Sequence, residues 1–261
     1  MLLPWSTAEA AEPPPPVHVS IVAPAEMRIG GTAEVAVVLD VPKGWHIYWE
    51  NPGQSGLSTD ARLTVAHAGD CTPPAGRVVT GPRWPVPKRF EADGLVNYGY
   101  DGVTAFVFEL HAPATSRLPL EAQVSWLLCK DVCVPGSGSA TASVAVRGRG
   151  HADASSAQPP AMAPLLEALA APFEQSGGTV SLSGGQLRVT LPGPGPFDVF
   201  PSVPLEAEWA PTITVSPDGA LLLSSPLPRA PGGSPWPFHL VLTRGEGATR
   251  RGYTLDLRES P

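Results

Sequence analysis

Apolar and polar residues alternate with a period of two along much of this chain, the repeat expected of strands with one buried face. Val17 to Val22 and Ala33 to Val41 alternate or run apolar, and Arg62 to Val65, Val103 to Leu110 and Glu121 to Leu128 continue the pattern. Proline-rich connections such as Arg83-Trp84-Pro85-Val86-Pro87 separate them. Seven or so short strands at this spacing predict an immunoglobulin-like β-sandwich over residues 17–147. In Trp45-His46-Ile47-Tyr48-Trp49-Glu50 the alternation sets Trp45, Ile47 and Trp49 on one face and His46, Tyr48 and Glu50 on the other, with Asn51-Pro52-Gly53 as the closing turn. That strand is either a core strand with a polar outer face or the border of a reactive site formed by His46, Tyr48 and Glu50. Leu95 to Gly102, with Tyr98, Tyr100 and two glycines, is either a hairpin with aromatic flanks or a mobile aromatic lid.

Gly148 to Pro160 is polar and rich in Ala and Ser, and marks a linker. Ala161 to Gln175 then places Leu165, Leu166, Leu169 and Phe173 at helical spacing before Gly177-Gly178, with Pro164 in the first turn and Pro172 kinking or shortening the end. Strands follow at Thr179 to Leu182 and Gln186 to Leu191, with a hairpin about Asp218-Gly219. A final pair, Phe238 to Leu242 and Tyr253 to Leu257, turns about Gly245-Glu246-Gly247. Residues 161–261 are therefore expected to form a helix plus a second, smaller β-rich domain. This half has no cysteine, and its His239, in an apolar strand, reads as a satisfied core histidine.

Composition agrees with an all-β chain. Among 261 residues there are 33 prolines and 27 glycines, yet 43% are hydrophobic and only 16% charged, which describes a turn-rich folded protein and not a disordered one. The net charge of −7 has no basic stripe, which argues against nucleic acid as a partner. No apolar stretch approaches the eighteen residues of a helical membrane span. Residues 1–16 resemble either the tail of a secretory signal, with an A-x-A site ending at Ala10, or a short disordered leader. There is no G-x-S-x-G elbow, P-loop, H-E-x-x-H or dinucleotide fingerprint.

Chemistry concentrates at Cys129 and Cys133 in Trp126-Leu127-Leu128-Cys129-Lys130-Asp131-Val132-Cys133-Val134-Pro135-Gly136, between an apolar run and an apparent Pro-Gly turn. On one straight strand their Cα atoms would stand about 13 Å apart, at roughly 3.3 Å per residue, too far for a disulfide. A hairpin with Lys130-Asp131-Val132 as its connection brings the sulfurs together. Such a bridge closes so short a loop that it stabilises by about 2 kcal/mol in the chain-entropy model. The pair is therefore better suited to redox chemistry than to holding a domain together, although a structural bridge and a metal site remain as alternatives. Lys130 favours a thiolate, whereas Asp131 opposes it or accepts a proton; both also suit an ordinary turn. Zinc needs more ligands than this neighbourhood supplies, so neither a metal nor a cofactor is expected. Cys71, in a loop-like Gly69-Asp70-Cys71-Thr72-Pro73-Pro74, is expected to stay unpaired.

Four strings carry a family resemblance: Gly44 to Leu57, Trp84 to Phe90, Leu95 to Tyr100 and Trp126 to Gly136. With weaker matches at Phe197 to Pro201 and Arg250 to Asp256, the chain resembles the N-terminal periplasmic region of the DsbD disulfide-reductase family, in particular its ScsB-like branch associated with copper tolerance. The resemblance implies an exported, immunoglobulin-like redox domain. Its disulfide, matched by Cys129 and Cys133, would take electrons from a membrane-embedded thiol:disulfide reductase subunit and pass them to exported thioredoxin-fold proteins. It also implies that the Tyr98 loop caps the disulfide and that Tyr48 lines it. The rival expectations are a non-enzymatic periplasmic copper-binding protein using the two thiols, and a scaffold module with an incidental disulfide.

Overall fold

The computed structural model describes residues 14–65, 78–92, 94–148, 158–183, 186–202, 212–216, 220–226 and 239–256. The A-x-A segment, Cys71, most of the 148–160 linker and the Asp218-Gly219 turn lie outside the described residues. The fold is all-β, an immunoglobulin-like sandwich followed by a short helix and further sheets.

The first half contributes β1 (His18–Val22), β2 (Glu26–Arg28), β3 (Thr32–Val41), β4 (Ile47–Gly53), β5 (Asp60–Val65) and β6 (Val79–Arg83). It continues with β7 (Lys88–Ala92), β8 (Leu95–Tyr100), β9 (Gly102–His111), β10 (Arg117–Cys129) and β11 (Cys133–Arg147). They form two four-stranded sheets, in the orders β1-β3-β9-β6 and β2-β11-β10-β5, and a three-stranded sheet β4-β8-β7. Between the sheets lies one apolar core holding Val35, Val37, Leu39, Phe106, Phe108, Leu120, Val124 and Trp126. The alternation of the sequence is what supplies it: each of these strands turns every second side chain inward.

Strand β3 reads as an almost unbroken apolar run because both of its faces are covered. Helix α1 (Met162–Glu167) sets its buried Met162 against Ala36, Ala105 and Val107, on the side of β3 and β9 away from the core. The helix is far shorter than the Ala161–Gln175 expected. It ends at Ala168, the chain passes through the two-residue strand β12 (Ala171–Pro172), and Phe173–Ser176 forms a separate 3-10 turn closed by Gly177 at φ 73°. Pro172, extended at ψ 141°, is the physical reason that the leucine spacing does not continue as helix.

The second half adds β13 (Thr179–Ser183), β14 (Gln186–Leu191), β15 (Phe197–Pro201), β16 (Thr212–Val215), β17 (Leu221–Pro226), β18 (His239–Arg244) and β19 (Arg251–Asp256). Its sheets run β12-β19-β18-β15 and β13-β14-β17-β16 around a core of Phe173, Leu187, Leu191, Leu221, Leu242 and Leu255. Phe200 and Val241 do not join that core and instead pack into the apolar cluster of the first half.

Candidate thiol–disulfide site

The longest hairpin of the molecule, β10 with β11, runs in unbroken antiparallel register from Arg117↔Ala145 to Cys129↔Cys133. A three-residue connection closes it, with the Lys130 amide donating to the Val132 carbonyl at 3.1 Å. The register leaves Cys129 and Cys133 as directly opposed partners with Cα atoms 4.1 Å apart, joined by a disulfide. Pro135 and Gly136 are not a turn, contrary to expectation, but part of β11. Gly136 faces Trp126, whose indole Nε1 would lie 2.6 Å from any Cβ placed there, so the missing side chain makes room for a core tryptophan.

The two cysteines differ in exposure. Cys129 is 2% exposed, whereas Cys133 is exposed at the outer end of the turn. Cys129 is covered by the segment leading into β4. Backbone bonds of 2.9 Å run both ways between His46 and Cys129, amide to carbonyl. The Tyr48 hydroxyl donates to Cys129 Sγ at 3.2 Å and lies 3.8 Å from Cys133 Sγ. Burial raises the Tyr48 pKa above that of a free phenol, so the group is a protonated donor at neutral pH. Gly56 lies against the other side of the ring: a Cβ at that position would sit 2.3 Å from Tyr48 Cζ, and its φ of 94° also favours glycine. Burial lowers the His46 pKa, with Asp101 opposing in part, which keeps this imidazole neutral near pH 7. Its Nε2 is buried without a hydrogen-bond partner, and the ring stacks on Phe90 at 4.5 Å.

The structure thus gathers Cys129, Cys133, Tyr48 and His46. Lys130 and Asp131 lie in the turn itself, exposed and 3.8 Å apart, each facing the other as a solvated turn pair. The other expected residues stand elsewhere. Pairing of Ile47 with Tyr100 and Tyr48 with Gly99 puts Tyr98 and Tyr100 on the face of the small sheet opposite Tyr48. Tyr100, 4% exposed, donates its hydroxyl to the Pro85 carbonyl inside the core, and burial holds its pKa well above the usual phenol value. Tyr98 meets the rings of Trp49 and Phe200 edge-on. The hairpin does reach the site, but through its other strand: Phe90, opposite Asn97, is the aromatic that stacks on His46. Period-2 reading of Lys88-Arg89-Phe90 would have offered that residue as an outward aromatic.

Glu50 departs from the alternation too. The register of β4 against β8 is interrupted between Tyr48 and Gly53, and Glu50 Oε1 lies 3.0 Å from His239 Nε2. His239 is therefore not a core histidine; it is a quarter exposed and bridges the two halves of the chain. Among the described residues no group of three or more His, Cys, Asp or Glu side chains is placed to hold a metal ion.

A sandwich whose longest hairpin closes on a disulfide, one sulfur buried under a tyrosine hydroxyl and the other residue open to solvent, has an arrangement suited to thiol–disulfide interchange. Residues 16–145 match the family described as "Thiol:disulfide interchange protein DsbD, N-terminal", and the chain carries a domain of that family. Among solved structures, the N-terminal periplasmic domain of ScsB from Proteus mirabilis superposes with a TM-score of 0.54 at 15% identity. That likeness covers 94% of this chain and 92% of the other, so the shared fold extends beyond the family match into the second half. No curated protein matches the chain.

Proposed function

We propose that this chain is an exported, periplasmic relay module. In this reading Cys129 and Cys133 take electrons from a membrane-embedded thiol:disulfide reductase subunit and deliver them to exported thioredoxin-fold proteins. The observation that carries the reading is the unequal setting of the two cysteines. In the reduced state the Cys133 thiolate attacks a partner disulfide, one sulfur of which leaves as a thiolate, and a mixed disulfide forms. Cys129 then attacks Cys133 Sγ and the second partner sulfur leaves. Two electrons pass to the partner, its two thiolates take up protons, and the Cys129–Cys133 bond is restored. Tyr48 assists because its hydroxyl is a stronger donor to a thiolate than to a disulfide sulfur.

The test is trapping. With Cys129→Ala, Cys133 keeps its attacking sulfur but loses the resolving one, so a mixed disulfide with an oxidised thioredoxin-fold protein should accumulate on non-reducing gels. Cys133→Ala should give little of it and the double variant none. Absence of any complex, together with tight stoichiometric Cu(I) binding by the wild type, would replace the relay by a copper carrier.

A further inference from the structure

The three residues that follow Tyr48 are all held by the second half of the chain. Trp49, fully buried, meets the rings of Phe200 and His239 edge-on, each at 6.3 Å. Glu50 Oε1 lies 3.0 Å from His239 Nε2, with both side chains only 25% exposed. Asn51, 2% exposed, donates from Nδ2 to the Pro201 carbonyl at 2.7 Å. This is also where the register between β4 and β8 is interrupted, from Tyr48 to Gly53. A stretch without a continuous ladder takes its conformation from side-chain contacts, and here those contacts come from β15 and β18.

The second half holds the opposite edge strand of the small sheet as well. Arg250 Nη2 donates to the Pro87 carbonyl at 2.7 Å, immediately before β7, which carries Phe90. The same guanidinium lies 5.7 Å from the Phe200 ring centroid, and Phe200 in turn meets Tyr98 at 5.2 Å. Both edge strands of the small sheet, β4 with Tyr48 and β7 with Phe90, are therefore held by contacts from the second half.

We infer that the second half is a positioning element of the thiol–disulfide site, with His239 as a positioning residue that acts through Glu50 and Trp49 on the Tyr48 hydroxyl. The inference rests on the thiol:disulfide reading above and gives the cysteine-free half a task within it. His239 touches neither sulfur. It sets the path of the chain directly after Tyr48, whose hydroxyl is 3.2 Å from Cys129 Sγ, and hydrogen bonds weaken steeply once distance and angle drift. Because that bond strengthens when the sulfur becomes a thiolate, a displaced Tyr48 favours the disulfide over the dithiol.

The experiment equilibrates the full chain with the dithiothreitol couple and compares His239→Ala in the wild-type and Tyr48→Phe backgrounds, with circular dichroism confirming the fold. His239→Ala should move the equilibrium toward the disulfide by about threefold, a coupling of the size expected of residues linked through one network. The shift should disappear when Tyr48 is already Phe. A shift of equal size in both backgrounds, or none in a folded His239→Ala protein, would overturn the inference. If His239→Ala does not fold, Glu50→Gln is read in the same two backgrounds by the same criteria. A wild-type pair that fails to equilibrate with dithiothreitol overturns the relay reading together with this one, whereas a reversible wild type with background-independent variants overturns only this one.

Discussion

The two halves of the chain put similar hairpins to different use. In the first, β10 and β11 span 13 and 15 residues, and their last opposed pair is Cys129 and Cys133. In the second, β18 and β19 span six residues each, and their last pair is Arg244 and Arg251, connected through a 3-10 turn at Gly247–Thr249 with no thiol. What separates them is a third layer. The first hairpin ends beneath the small sheet β4-β8-β7, which brings Tyr48 onto the sulfurs and bridges His46 to Cys129. No such sheet covers the end of β18-β19 among the described residues. A sandwich therefore supplies the rigid hairpin, and an added sheet turns its tip into a chemical environment. The same small sheet is the surface on which the second half docks, so the cover of the disulfide and the junction between halves share their strands.

The largest expected effect separates contacts inside the first half from contacts across the junction. A Cβ on Gly99 would lie 1.9 Å from the Ile47 carbonyl oxygen, a backbone atom in the middle of the β4-β8 pairing. Gly99→Ala should therefore cost on the order of 3 kcal/mol or more in urea unfolding, and release the Tyr48 sheet. A Cβ on Gly252 would lie 2.3 Å from Val86 Cγ2 and 3.0 Å from Val86 Cγ1, side-chain atoms across the junction. Gly252→Ala should cost about 1–2 kcal/mol. Equal costs would show that the small sheet belongs energetically to both halves.

Next in size is Tyr48→Phe, which removes the hydroxyl that meets both sulfurs while keeping the ring over Gly56. Loss of a charge-assisted hydrogen bond to the reduced pair should shift the thiol–disulfide equilibrium toward the disulfide by about tenfold, equivalent to about 30 mV for two electrons. Redox titration against dithiothreitol checks it. An unchanged equilibrium would mean that Tyr48 only fills space.

A smaller effect on the reactivity of the disulfide distinguishes the two faces of the small sheet. Phe90→Ala uncovers His46 beside Cys129 and should speed reduction by glutathione severalfold, as seen by stopped-flow alkylation. Tyr98→Ala removes a ring lodged between Trp49 and Phe200 and should lower stability by about 3 kcal/mol without that change in rate. The reverse result would return the lid role to Tyr98.

Smallest is a pH effect at His46. Its folded pKa lies below the usual value because burial disfavours the charged ring, so between that folded value and about 6.5 the unfolded chain binds more protons. Stability should fall as pH drops through this window and level off below it. His46→Phe should flatten the decline in a plot of melting temperature against pH, and an equal decline in the variant would assign it to other groups.

Much of this protein was legible in its residues. Period-2 alternation located β1, β3, β5, β9 and β10 to within a few residues, because a strand's two faces demand different solvents. Four-residue spacing of the cysteines excluded a straight strand, which cannot bring the sulfurs into reach, and the apolar run before Cys129 made a hairpin the bend to expect. Alternation set Tyr48 with His46 and Glu50 opposite the apolar Trp45-Ile47-Trp49 face, and the family resemblance is what marked Tyr48 as lining the disulfide. Tertiary structure decided what each face meets. Alternation states that Tyr98 and Tyr100 share a side, but only the pairing of Ile47 with Tyr100 turns that side toward the core and leaves Phe90 on the sulfur side. Glu50 followed the pattern of His46 and Tyr48 until the register break after Tyr48 directed it to His239. The decisive contacts join residues far apart in the chain, 81 positions from Tyr48 to Cys129 and 150 from Asn51 to Pro201. Local periodicity carries no information about such pairs, because they are selected by how the sheets stack and dock.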